Sequence, residues 1–94
     1  MNNRRVVVTG VGAITALGLD VNSTWRGVSN GENGVRPIDH FDASAFSTQF
    51  SASLKVFSTD GFLEPRDAKR MDAFIQYGMV AGIQAMRDSG FEIT

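Results

Sequence analysis

Residues 4–12 read RRVVVTGVG, and this stretch predicts the class of the fold. Its run of valines is β-branched, and Thr9-Gly10 is typical of the end of a strand. Because the apolar run does not alternate with polar residues, we expect a strand that is buried on both faces, as in a parallel or mixed central sheet. Gly10, Gly12 and Gly18 predict a turn region directly after this strand.

A first helix is predicted after the glycine-containing turn. Asp20 or Asn22 can cap its N-terminus, and the helix carries Trp25 and Val28. Asn30-Gly31 is a natural end for this helix and the start of a loop.

A second, continuous helix is predicted from Pro65 to about Ser89, with Gly90 as its C-terminal stop. Each interior glycine costs a helix roughly 1 kcal/mol relative to alanine, so Gly78 and Gly82 predict the close approach of another backbone. The apolar positions recur at helical spacing and comprise Met71, Phe74, Ile75, Gly78, Met79, Gly82, Ile83 and Met86.

The middle of the chain predicts little regular structure. Residues 38–60 are rich in serine and carry phenylalanines without a clear period, so we expect an irregular segment. A short, partly exposed strand is predicted at residues 52–56.

The predicted order of strand, helix, loop and helix indicates an α/β fold. With 94 residues the chain has room for a single unit, and a parallel sheet would still lack its next strands. We therefore expect residues 1–94 to be the opening of a larger α/β domain, without a second domain.

Composition excludes several classes of function. Nine Lys and Arg against ten Asp and Glu give a net charge of −1, which argues against a nucleic-acid binder. The longest apolar run is far shorter than the roughly 20 residues of a membrane span, and no signal peptide is visible, so we expect a cytoplasmic protein. The absence of cysteine excludes a disulfide, a zinc–thiolate site and a cysteine nucleophile within these residues.

The glycine-containing turn offers a first candidate site, for a dinucleotide. A Gly-x-Gly-x-x-Gly turn after a strand binds pyrophosphate at a helix N-terminus. Here Thr15 occupies the third glycine position, Gly18 comes three residues late, and Asp39 and Asp42 fall in a loop. The alternative is a tight turn whose glycines allow positive φ and close packing against a neighbour.

His40 offers a second candidate, because Asp39 and Asp42 flank it. Two carboxylates beside an imidazole can serve a metal or acid–base site. The spacing brings no further ligand, so an ordinary surface turn is the favoured interpretation and no metal is predicted.

A third candidate is a cluster of three cations, Arg66, Lys69 and Arg70. On a continuous helix their spacing places them on one face, opposite the apolar stripe and near the positive N-terminal end. Such a concentration of positive potential suits docking of an acidic partner. Asp67 and Asp72 are interleaved with the cluster, so a simple solvated face is the alternative.

Three stretches together resemble the β-ketoacyl-acyl carrier protein synthase II family of condensing enzymes. They are residues 4–12, residues 38–42 (IDHFD) and residues 69–78 (KRMDAFIQYG). The glycine-containing opening is common to many condensing enzymes, whereas the other two stretches are more specific. The resemblance extends over essentially the whole chain.

This resemblance implies a thiolase-like fold in which two related halves, each a mixed sheet between helices, assemble as a homodimer. It implies a decarboxylative condensation through an acyl-cysteine, with two histidines that stabilise the oxyanion. The family places that cysteine and both histidines beyond residue 94, and His40 matches neither histidine. We therefore expect no catalytic residue, no cofactor and no activity in these 94 residues alone.

The resemblance also gives the basic cluster a partner. In the family, basic residues that match Arg66, Lys69 and Arg70 contact the acidic acyl carrier protein. The leading interpretation is thus the N-terminal segment of a condensing enzyme. A dinucleotide-binding α/β enzyme and a stand-alone module that docks an acidic protein remain as alternatives.

Overall fold

The N-terminal stretch, residues 3–19, lies across the longest helix of the structure. A computed structural model describes residues 3–54 and 56–92. Its regular elements, in chain order, are α1 (Val21–Ser29), β1 (Arg36–Pro37), β2 (Phe50–Ser51), α2 (Pro65–Ala68) and α3 (Ala73–Ser89).

Helix α1 begins and ends where the sequence predicts. Asp20 is the N-cap residue, in an extended conformation, and its carboxylate accepts a 2.7 Å hydrogen bond from the backbone N–H of Ser23. A hydrogen bond from the Ser23 hydroxyl, together with this backbone bond, lowers the pKa of Asp20. At the other end, the Asn30 N–H bonds to Arg26 O, and Gly31 follows with a φ of 71°.

The predicted continuous helix from Pro65 to Ser89 is wrong, because the chain breaks between α2 and α3. Helix α2 ends at Ala68, and Asp72 adopts an extended conformation with ψ of 160° as the N-cap residue of α3. The apolar periodicity continues across the break and conceals it, although an aspartate at this position is typical of a helix start. Gly90, at φ 68°, ends α3 as predicted.

The strand predicted at residues 4–10 does not form in the described part of the chain. A strand is defined by hydrogen bonds to a neighbour, and no described segment pairs with these residues. The predicted burial is also wrong for this chain, since Val6 and Val8 are 86% and 81% exposed.

The only sheet among the described residues has two short antiparallel strands. Arg36 of β1 lies opposite Ser51 of β2, and the Ile38 N–H extends the ladder to Gln49 O at 2.9 Å. The segment between the strands is irregular, as predicted. The strand expected at 52–56 is wrong for its described residues, and Lys55 lies outside them.

Close backbone approach occurs at Gly10 and Gly12, not at the predicted Gly78 and Gly82. A Cβ atom at Gly10 would lie 2.6 Å from the Ser89 backbone nitrogen, and one at Gly12 would lie 2.9 Å from the Ala85 nitrogen. Nothing lies within 4 Å of a Cβ built at either helix glycine. The N-terminal stretch therefore lies against the backbone of one face of α3, and the glycine face of the helix stays open.

The chain is extended, with little buried core. Its radius of gyration is 17.0 Å, whereas a compact domain of about this length has about 13 Å. Among the described residues, the buried hydrophobic side chains are those of Ala43, Ala68 and Val80. Among the residues described, no helix has the length and apolar character of a membrane span.

We predict that the isolated chain associates with itself or unfolds easily. Val6 to Val8 and the α3 side chains Phe74 and Met79 expose apolar surface of the kind that drives association. Sedimentation velocity across a concentration series should show species larger than a monomer. A monomer that unfolds cooperatively with about 5 kcal/mol or more would contradict this prediction.

We predict that Gly12→Ala destabilises the contact between the N-terminal stretch and α3 by about 1–3 kcal/mol, because the added methyl group meets backbone atoms that cannot move aside. The matched control is Gly82→Ala, which meets nothing and gains up to about 1 kcal/mol of helix propensity. Thermal unfolding at low protein concentration, followed by circular dichroism, should rank Gly12→Ala below the parent chain. Equal midpoints for Gly12→Ala and the parent would refute the close approach.

Candidate functional site

The backbone amides of the glycine-containing turn bond to side chains of α3. The Val11 N–H donates to the Asp88 carboxylate at 3.0 Å, and the Ala13 N–H donates to Gln84 Oε1 at 3.1 Å. A dinucleotide site needs such amides free to face phosphate, at the start of a helix. Helix α1 begins later, at Val21, so the geometry favours the packing role of this turn over the dinucleotide interpretation. The positive φ expected at the glycines of the turn is wrong, because none of them has one.

Gly18, which comes too late for a nucleotide motif, closes a local turn. The Thr15 N–H donates to Gly18 O at 2.8 Å, and the Thr15 hydroxyl lies 2.9 Å from the Thr24 hydroxyl on α1. A Cβ atom at Gly18 would collide with Ser23. This glycine therefore lets the turn lie against the first turn of α1.

His40 lies in an exposed local turn. Its ring packs edge-on against Phe41, with ring centroids 4.8 Å apart. The Asp42 carboxylate accepts a 3.0 Å hydrogen bond from the Ser44 N–H, and its hydrogen bonds to Ser44 lower the pKa of Asp42. Within residues 3–54 and 56–92, no group of three His, Cys, Asp or Glu side chains is placed to hold a metal ion.

The three cations lie on α2 and the turn that follows it. Arg66 is in α2, Lys69 is its C-cap residue, and Arg70 continues the turn through a 3.1 Å bond from its N–H to Asp67 O. All three are exposed, as expected. We term residues 66–70 the basic turn.

The predicted position of these cations at the start of the long apolar helix is wrong. Because α3 begins at Ala73, the cations precede that helix and do not lie in its first turns. Arg66 lies in α2, Lys69 is its C-cap residue in helical conformation, and the Arg70 N–H bonds to Asp67 O, so the three cations lie on α2 and the turn that continues it, not on the long apolar helix. Their exposure and their proximity along the chain remain, and these carry the charge argument.

Gln76, in the first turn of α3, joins the basic turn to that helix. Its side-chain Nε2 donates to Ala68 O at 2.8 Å and to Met71 O at 3.3 Å. Gln76 was not predicted as a functional residue, because the helix was predicted from its apolar positions alone. A polar, helix-compatible side chain just after a helix start was the available signal.

Arg87, near the other end of α3, holds the loop before α2. Its Nη2 donates to Gly61 O at 2.8 Å, and its guanidinium carbon lies 4.8 Å from the centre of the Phe62 ring. This contact was not predicted from the sequence, because Arg87 lies 26 positions after Gly61 along the chain. Helix α3 thus contacts both sides of α2.

Comparison with known families identifies the class of protein. The sequence profile of the β-ketoacyl synthase N-terminal domain matches residues 3–94. The chain belongs to this family.

Within the family, the curated relatives point to one type of synthase. The chain is 49% identical over 94 residues to 3-oxoacyl-[acyl-carrier-protein] synthase 2 of Vibrio harveyi, and 46% identical over 93 residues to that of Vibrio cholerae. It is 37% identical over 91 residues to the Staphylococcus aureus protein of the same name. These matches cover 97–100% of the chain but 22–23% of each relative.

A solved structure supports the assignment to the β-ketoacyl synthase family. The ishigamide ketosynthase/chain length factor superposes with a TM-score of 0.81 at 31% sequence identity, over 97% of this chain and 23% of the other. The predicted fold class, a partial α/β thiolase-like fold, is thereby confirmed.

Proposed function

We propose that these residues form the N-terminal segment of the first thiolase-like half of a 3-oxoacyl-[acyl-carrier-protein] synthase. The observation that carries this proposal is the match to synthases of that name over the whole chain, at up to 49% identity. The whole enzyme condenses an acyl group with malonyl-carrier protein in fatty acid elongation. It is an acyltransferase that acts in the cytoplasm as a homodimer and needs no redox cofactor.

The chemistry of this reaction takes place outside the residues described. A cysteine thiolate of the whole enzyme takes the acyl group from its carrier thioester. Malonyl-carrier protein then loses CO₂, and the resulting carbanion attacks the acyl-cysteine carbonyl and expels the thiolate. These 94 residues have no cysteine and a single histidine, so they contribute structure and partner binding to the reaction.

We propose that the basic turn docks the acyl carrier protein through Arg66, Lys69 and Arg70. Three observations support this proposal. All three side chains are exposed, and they lie within five positions of the chain. Gln76 and Arg87 of α3 bond to the backbone on either side of α2. An acidic partner is attracted to such a patch by long-range forces that set encounter rate and salt dependence. The lack of other chemistry in the described residues is consistent with a docking role.

We predict that Arg66→Glu, Lys69→Glu and Arg70→Glu together raise the KM for carrier-linked substrates. The assay uses a full-length ketosynthase in which these 94 residues form the N-terminal segment. Reversal of three exposed charges should raise the KM about tenfold or more, equivalent to about 1.4 kcal/mol, and high salt should shrink this difference. Turnover of a small acyl thioester without a carrier should stay nearly unchanged, because the reacting groups lie elsewhere.

A control with the same change of charge distinguishes docking from net charge. Arg4, Arg26 and Arg36 are exposed cations outside the basic turn, and their joint replacement by glutamate should leave the KM for carrier-linked substrates near the parent value. Equal losses in both triple variants would assign the effect to net charge. Equal losses on carrier-linked and carrier-free substrates would point to misfolding, and an unchanged KM in the basic-turn variant would refute docking.

A further inference from the structure

We infer that Gln76 is a positioning residue for the carrier-docking surface, because its side-chain amide clamps the two carbonyls that bracket Lys69 and Arg70. The bonds run from Nε2 to Ala68 O at 2.8 Å and to Met71 O at 3.3 Å. Both cations lie between the clamped carbonyls along the chain. This role rests on the docking function proposed for the basic turn.

The clamp acts where the backbone leaves helical geometry. The last carbonyls of a helix have no partner within it, and Ala68 is the buried residue at the end of α2. Its carbonyl accepts from the Met71 N–H at 3.1 Å and also from the Gln76 amide. The turn that carries Lys69 and Arg70 is therefore fixed at both ends by one half-buried side chain of the next helix.

Glutamine is the side chain that suits this position. A primary amide provides two N–H donors on a flexible stem, and the Ala68 and Met71 carbonyl oxygens both lie within reach of them. Methionine has a similar length and no donor, and glutamate would present acceptors to acceptors. A fixed backbone presents Lys69 and Arg70 to the partner in one arrangement, which lowers the ordering cost of docking.

Gln84, on the same helix, provides a matched control. It is also half-buried, and its Nε2 donates to Leu19 O at 2.6 Å while its Oε1 accepts from the Ala13 N–H at 3.1 Å. It therefore clamps the N-terminal stretch in the way that Gln76 clamps the basic turn. Gln84→Met removes a comparable clamp from α3 without touching the docking surface.

The test compares Gln76→Met with Gln84→Met in the full-length ketosynthase. Gln76→Met should raise the KM for acyl-carrier substrate about threefold to tenfold, with kcat and carrier-free turnover unchanged. Backbone amides of Arg70 and Met71 should exchange hydrogen faster. Gln84→Met should produce neither a selective rise in KM nor faster exchange at the basic turn, and a rise equal to that of Gln76→Met would overturn the positioning role.

A third variant, Lys69→Ala/Arg70→Ala, separates this inference from the docking function. In that background Gln76→Met should add no further rise in KM, because the cations that it positions are gone; a full additional rise would overturn the positioning role. If the double variant raises the KM but Gln76→Met does not, the positioning role is overturned and the docking function stands. An unchanged KM in the double variant would refute docking, and positioning with it.

Gln76→Asn is a second variant that distinguishes the positioning role from a folding defect in Gln76→Met. It keeps an amide at the site, but its stem is one methylene shorter, so the two carbonyls cannot both be reached as before. The same selective rise in KM is expected. Parallel losses on carrier-linked and carrier-free substrates in both Gln76 variants would assign Gln76 to the fold alone and overturn the inference.

Discussion

The close approach of the N-terminal stretch to α3 is the constraint on which the rest of the structure depends. Gly10 and Gly12 lie against the helix backbone where a side chain would not fit. This proximity lets Gln84 and Asp88 bond to the amides of the turn. Without it, the described residues would lose their main long-range connection between the two ends of the chain.

Two further side chains of α3, Gln76 and Arg87, make polar contacts on either side of α2. Gln76 bonds to the end of α2 and Arg87 bonds to the loop before it, so one rigid element holds both sides of the basic turn. The basic turn is small and exposed, yet hydrogen bonds connect its backbone to the longest helix. A scaffold of this kind can present charge without any reacting group of its own.

The sequence predicted the local features of this fold well and its long-range contacts poorly. Cap and stop residues act over a few positions, so Asp20 and Gly90 marked helix ends correctly. The break before α3 was missed because apolar periodicity runs through it, and the valine strand was predicted from a pattern that needs neighbouring strands to become structure. The presence of glycine could not show whether the turn with Gly10 and Gly12 or the helix with Gly78 and Gly82 meets another backbone.

The basic cluster was predicted from spacing and resemblance, although it lies on the short helix α2 and the turn after it, not at the start of one long helix. Charge clustering survives such an error because it depends on proximity along the chain more than on helix geometry. Gln76 and Arg87 could not be found in this way, since a glutamine or arginine on a helix has many possible partners. Only the fold identifies which carbonyls they reach.

The central claim, that these residues are a ketosynthase scaffold whose chemistry lies elsewhere, is tested most directly by a chimera. The corresponding N-terminal segment of the Vibrio harveyi synthase, to which this chain is 49% identical, is replaced by these 94 residues. The account predicts condensation by the chimera within about tenfold of the parent synthase, a difference of about 1.4 kcal/mol, and none by the 94 residues alone. A folded chimera without condensation, or acyl transfer to the isolated chain, would contradict it.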